Sequence, residues 1–82
     1  MKIIMSNVYI IFSRSWTLEE IKRELQEEGY THNFFFGRTA KTYEDKIKAM
    51  EIANEVWIFG DVNGIEDFSL AKSMKKDIWV MG

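Results

Sequence analysis

Apolar residues in this chain follow two rhythms that take turns. Val8-Tyr9-Ile10-Ile11-Phe12 is an unbroken apolar run, the pattern of a strand buried on both faces, with Lys2 to Asn7 read as its extension. Thr17 then opens a stretch in which Leu18, Ile21 and Leu25 recur at helical spacing. Thr17-Leu18-Glu19-Glu20 has the spacing of a capping box, and Gly29 supplies the left-handed stop. A second strand is predicted from Tyr30 to Phe36, ending in Phe34-Phe35-Phe36. After the polar loop Arg38 to Thr42, a second helix starts at Thr42-Tyr43-Glu44-Asp45, with Tyr43, Ile47, Met50 and Ala53 on one face. Val56-Trp57-Ile58-Phe59 is the third strand, stopped at Gly60-Asp61. Gly64 precedes a third helix through Met74, with Ile65, Phe68 and Ala71 inward. Asp77 leads into the last strand, Ile78-Trp79-Val80-Met81.

The order β-α-β-α-β-α-β predicts an α/β fold with a four-stranded parallel sheet. A flavodoxin-like winding gives strand order 2-1-3-4, in one domain over residues 1–82. The first helix then covers one sheet face, and the second and third cover the other. No helix follows the last strand, so one face of strands three and four is expected to stay bare. Either Trp57, Phe59, Trp79 and Met81 or Val56, Ile58, Ile78 and Val80 would line it. A bare apolar patch of this kind is normally an interface, which predicts a homo-oligomer.

Composition narrows the class. With 46% hydrophobic and 15% aromatic residues the chain is too apolar for disorder, despite 29% charge. The absence of cysteine excludes a disulfide framework and a thiolate metal cage. A net charge of −2 gives no basic footprint for nucleic acid or an anionic membrane. The apolar runs are far shorter than the roughly 20 residues of a membrane helix, and no signal peptide is evident. A cytoplasmic protein is expected. His32 is the only histidine, has no companion ligand for a metal, and reads as a surface residue near a strand start.

In an open parallel sheet, ligands sit beyond the carboxyl ends of the strands where the order reverses, here between strands one and three. The loops meeting there are Ser13-Arg14-Ser15-Trp16 and Gly60-Asp61-Val62-Asn63-Gly64, flanked by Gly37 to Thr42. Arg14 with Ser13 and Ser15, just ahead of a helix N-terminus, suits a phosphate. The plain alternative is capping by Ser15 and Thr17 with a solvated Arg14. Trp16 is a stacking platform for a base or a hydrophobic staple onto Ile21. Phe36, at the end of its strand, is core or reaches the crevice. Lys72, Lys75 and Lys76 read as a solvated helix end. Glu66 and Asp67 open the third helix, where carboxylates favour the helix dipole or, facing a nucleoside, attack or stabilise its anomeric carbon. No G-x-G-x-x-G follows strand one and no G-x-x-x-x-G-K-[ST] occurs, which removes the dinucleotide and P-loop fingerprints. No cofactor is expected.

Val8-Tyr9-Ile10-Ile11, Thr42-Tyr43-Glu44-Asp45-Lys46, Ile52 to Phe59 and Gly64 to Lys72 together resemble the nucleoside 2-deoxyribosyltransferases, above all their small phage-type relatives. The resemblance implies a flavodoxin-like sheet and chemistry at the N-glycosidic bond of a deoxynucleoside or nucleotide. It implies a carboxylate nucleophile early in the third helix, within a pattern like G-[ST]-x-x-E-x-G-x-A. Ala71 matches the alanine and Asp67 falls at the glutamate's place, one methylene shorter, with Gly64 one residue too close. Glu66 substitutes only from a helical angle about 100° away. Asp45 resembles an acidic residue that helps hold the ligand. Family enzymes run longer and complete the site with a C-terminal segment, often lent by a neighbour.

The leading expectation is therefore a binding module for a nucleoside- or nucleotide-derived molecule. Trp16 and Phe36 would stack, Ser13, Arg14 and Ser15 would take phosphate, and Asp61 or Asp67 would take ribose hydroxyls, with Asp45 and Asn63 also among the ligand-binding residues. Sequestration of a nucleotide signal of host defence is one use of such a phage-like protein. The second expectation is an N-glycosidase or deoxyribosyltransferase with Asp67 as nucleophile. A protein-protein interaction module is third.

Overall fold

The computed structural model describes residues 6–82. Strand β1 is Asn7–Phe12, followed by helix α1, Leu18–Glu27, and strand β2, Asn33–Phe36. A single 3-10 turn, Gly37–Thr39, leads toward α2, Tyr43–Ile52, and β3, Glu55–Phe59. Helix α3, Glu66–Ser73, and strand β4, Asp77–Val80, complete the order. The four strands form one all-parallel sheet ordered β2-β1-β3-β4, the α/β winding that the sequence pattern predicts. The part of the expected β1 extension at residues 1–5 lies outside the described residues.

Side-chain alternation explains why β1 is apolar throughout. Val8, Ile10 and Phe12 face α1 and pack with Ile21 and Leu25. Tyr9 and Ile11 face the opposite way and pack with Met50 of α2 and Leu70 and Ala71 of α3. The central strand thus feeds two cores, with one helix on one face and two on the other.

The capping box forms in full: Thr17 Oγ1 accepts from the Glu20 amide, and Glu20 Oε1 accepts from the Thr17 amide. The bond from the Thr17 amide, with the Thr17 side chain beside it, holds the Glu20 carboxyl below the usual range. At the other end of α1, Gly29 sits at φ +73, its amide donating to Gln26 O while the Tyr30 amide donates to Leu25 O. That is a Schellman stop, and it turns the chain back toward the sheet. Consequently β2 starts at Asn33 rather than Tyr30, and the Tyr30 ring lies 4.8 Å from that of Trp57.

Three expectations change here. Tyr43 is exposed, and Ile47, Ala49 and Met50 supply the buried face of α2. Lys76 is not solvated: its ammonium donates to Glu51 O and Ala53 O and so satisfies carbonyls at the end of α2. The face of β3 and β4 is not bare as a whole, because Tyr30 covers Trp57, now 4% exposed, and Trp16 covers Phe59. The residual apolar exposure is confined to β4, with Trp79 50% and Val80 75% exposed on opposite faces of that strand.

Candidate functional site

A cleft of about 220 Å³ opens beyond the carboxyl ends of the sheet. Its walls are Ile11 and Phe12 from the end of β1, Arg14 from the following loop, Arg38 from the 3-10 turn, Lys46 of α2, and Ile65 and Asp67 at the start of α3. These elements converge because the β1 and β3 crossovers leave on opposite faces, which parts the loops at the order reversal. Three cationic side chains and one carboxylate line the cleft in a chain whose net charge is −2.

Asp67 is 3% exposed and fully engaged. Its Oδ2 accepts from the Tyr9 hydroxyl at 2.6 Å, and its Oδ1 accepts from Lys46 Nζ at 2.8 Å. Lys46 also reaches Glu66 Oε1 at 3.4 Å, on the exposed side. Burial first, then the hydrogen bond to Asp67 and its charge, push the Tyr9 phenol far above the ordinary tyrosine value. Burial pulls the Lys46 ammonium down, but the hydrogen bond and charge of Asp67, with Glu66 behind them, outweigh it and leave the lysine raised. Tyr9 therefore stays neutral and Lys46 charged, which suits a carboxylate held between them.

Arg38 is held as firmly on the far wall. Its Nη2 donates to Phe12 O and Ser13 O, both at 2.8 Å, and its Nη1 donates to Trp16 O at 3.2 Å. The guanidinium lies 3.9 Å over the Phe12 ring centroid. Stacked and tied to three carbonyls, it fixes the loop that carries Arg14. Gly37, one residue earlier, is where the chain passes closest to the buried pair. A Cβ there would meet Asp67 Oδ2 and lie 2.7 Å from the Tyr9 hydroxyl.

The sequence-derived candidates separate into groups. Arg14 and Asp67 line the cleft. Ser13 and Ser15 adjoin it, but their hydroxyls are 2.6 Å apart and bonded to each other. Trp16 packs edge-on against Phe59 at 5.3 Å, within the α1-side core, so it works as a packing residue. Phe36 packs on that same side, with the Lys22 ammonium 5.8 Å from its ring. Asp45 is exposed in the first turn of α2. Asp61 Oδ1 accepts from the Asn63 amide and closes the β3–α3 turn, leaving both residues exposed at the rim. Glu66 points outward and touches the site only through Lys46.

The sequence does not single out Tyr9, Gly37, Arg38 or Lys46, although Gly37 and Arg38 lie in the loop expected to flank the site. The Tyr9 hydroxyl in a buried strand was the available signal, because such a group needs a partner. Among the described residues no group of three or more His, Cys, Asp or Glu gathers to hold a metal, and no helix is long and apolar enough to cross a membrane. No protein-family model matches the chain, and neither a curated protein nor a solved structure does.

Proposed function

We propose that the chain binds a nucleotide-derived small molecule in the cleft beyond β1 and β3, through its phosphate. One observation carries this: Arg14, Arg38 and Lys46 converge on the cleft against a single carboxylate that is already satisfied. A satisfied Asp67 neutralises one lysine and leaves the two arginines to attract an anion. The position beyond the parallel strands, next to the first turn of α3, is the usual place for a phosphate in such sheets. Ile11, Phe12 and Ile65 offer an apolar wall for the base or sugar. Holding the molecule without efficient turnover, as in sequestration, agrees with a carboxylate whose two oxygens are both taken.

A thermal melting screen tests this with nucleosides, nucleoside monophosphates, ADP-ribose and cyclic dinucleotides. A ligand present at about 100 Kd adds about 2.7 kcal/mol, which raises Tm by roughly 10 °C or more in a domain of this size. The expected result is a shift with a phosphorylated compound and none with its parent nucleoside. Equal shifts with both, or none at all, would overturn the proposal. Chromatography of the same mixtures tests the enzyme reading, favoured by the placement of Asp67 in the cleft wall: release or exchange of free base supports it.

Self-association is the narrower proposal at the other edge. The outer edge of β4 pairs with no strand among the described residues, and Trp79 and Val80 are exposed on its two faces. We infer edge-to-edge pairing of two copies, and a monomer by sedimentation at micromolar concentration overturns it.

A further inference from the structure

Two short sequences in neighbouring strands carry the same three chemistries in the same order. Glu55-Val56-Trp57 lies in β3 and Asp77-Ile78-Trp79 lies in β4. The strands pair in register, so Glu55 stands beside Asp77 and Trp57 beside Trp79. All four side chains project to the α1 side of the sheet, since alternate residues share a face. Each indole donates to the acid two residues before it: Trp57 Nε1 to Glu55 Oε1 at 2.9 Å, and Trp79 Nε1 to Asp77 Oδ2 at 3.2 Å.

This arrangement places two acidic residues side by side on paired strands whose backbones run about 4.8 Å apart. Like charges on adjacent strands repel, and among the described residues neither acid has an ion-pair partner. Next to them a cavity of about 240 Å³ is walled by Tyr30, Glu55, Trp57, Trp79 and Met81. The Tyr30 ring packs at 66° on Trp57, which is only 4% exposed, so the rings open to a ligand are those of Tyr30 and half-exposed Trp79. The cavity thus presents the Tyr30 and Trp79 rings to a ligand, with the Glu55 carboxylate in its wall and Asp77 on the neighbouring strand.

We propose that this cavity binds a quaternary ammonium group. Aromatic ring faces attract a cation through their quadrupole, and Glu55 in the wall, with Asp77 on the adjacent strand, adds net negative charge. A quaternary head suits the site better than a primary ammonium. It has no N–H groups to satisfy, loses less hydration on entry, and presents methyl groups to the rings and to Met81. The site is on the α1 side of β3 and β4, whereas the phosphate cleft lies beyond the ends of β1 and β3, so the two stand or fall separately.

Titration of the full chain with choline chloride, followed by the tryptophan indole signals in 1H–15N spectra, tests the proposal. The Trp57 and Trp79 signals are expected to shift saturably in the millimolar range, with Trp16, packed on Phe59, as the unmoved control. The uncharged isostere 3,3-dimethyl-1-butanol is expected to give no saturable shift. Glu55→Gln keeps an acceptor for the Trp57 indole but removes a charge, and is expected to weaken choline binding by about tenfold. Trp79→Ala, at a half-exposed position, is expected to abolish it with the remaining spectrum folded. A parallel arm with Nε-trimethyllysine identifies the source, since the tighter of the two compounds names it. No saturable choline shift, an equal response to the isostere, or unchanged affinity in Glu55→Gln would each overturn the proposal.

Discussion

The Tyr9 hydroxyl donates to Asp67 Oδ2 across 2.6 Å, joining the middle of β1 to the first turn of α3 over a separation of 58 residues. Lys46 of α2 closes the set from the other carboxylate oxygen. One carboxylate therefore ties the central strand to both helices on that face. Removing it by Asp67→Ala leaves a buried hydroxyl without an acceptor and a lysine without its counter-charge. We expect a loss of about 2–3 kcal/mol, discounted because Lys46 is partly exposed. Tyr9→Phe keeps the Lys46 pair and is expected to lose about 1–2 kcal/mol. Urea denaturation of both variants and the double variant checks this, and additive losses would show that the hydrogen bond contributes nothing.

The same pair sets the behaviour in alkali. Tyr9 and Lys46 are both raised above their ordinary values of about 10 and 10.4, so the folded chain keeps protons that the unfolded chain releases. Their contribution is fully present below pH 10 and is lost as pH rises through the folded values. Stability is expected to fall above about pH 10 by up to ~1.4 kcal/mol per pH unit for each group. Denaturation series between pH 8 and pH 11 measure the slope. Tyr9→Phe is expected to flatten it, and an unchanged slope in that variant would remove Tyr9 from the account.

Strand order and helix placement were legible in the sequence because continuous apolar runs and helical stripes differ in period. The site was legible only in part. Arg14 and Asp67 sit where sheet topology puts a ligand, and topology alone locates the loops. Lys46 was not legible, because on its own helix it looks like any solvated lysine, and only the packing of α2 beside α3 brings it to Asp67. Arg38 hid in a polar loop for the same reason. For Trp16 and Phe36 both core packing and a place at the crevice stay open from sequence, because it gives their position along the chain but not which side of the sheet their rings take. The apolar pattern extends β2 back to Tyr30, whereas the Schellman turn at Gly29 ties the Tyr30 amide to α1 and delays the strand to Asn33.

Gly37 tests how tightly the cleft floor is packed. A Cβ there would meet the Asp67 carboxylate and lie 2.8 Å from the Tyr9 ring. Both neighbours are buried and bonded to each other, so neither moves freely aside. Gly37→Ala is expected to destabilise the fold by about 1–3 kcal/mol, the range for overpacking. Urea denaturation reads the change, and a neutral or stabilising result would mean that the 3-10 turn shifts without disturbing the pair.

Arg14 and Trp16 lie two residues apart, yet their side chains serve different parts of the molecule. Arg14 lines the cleft, whereas Trp16 rests on Phe59 in the α1-side core. Stability and ligand affinity should therefore separate between them. Trp16→Ala is expected to lose about 2 kcal/mol of stability, below the full aromatic truncation range because the ring is only half-buried. Its affinity for the phosphorylated compound found by melting should stay within about twofold of wild type. Arg14→Ala, at an exposed position, should change stability by no more than about 0.5 kcal/mol. Its affinity should fall by about tenfold, the scale of one lost charge-assisted hydrogen bond to phosphate. Denaturation and calorimetric titration of each variant give both quantities. If Trp16→Ala lost affinity while Arg14→Ala kept it, the ligand would have to stack on the α1 side of the sheet, and the cationic cleft would not be its site.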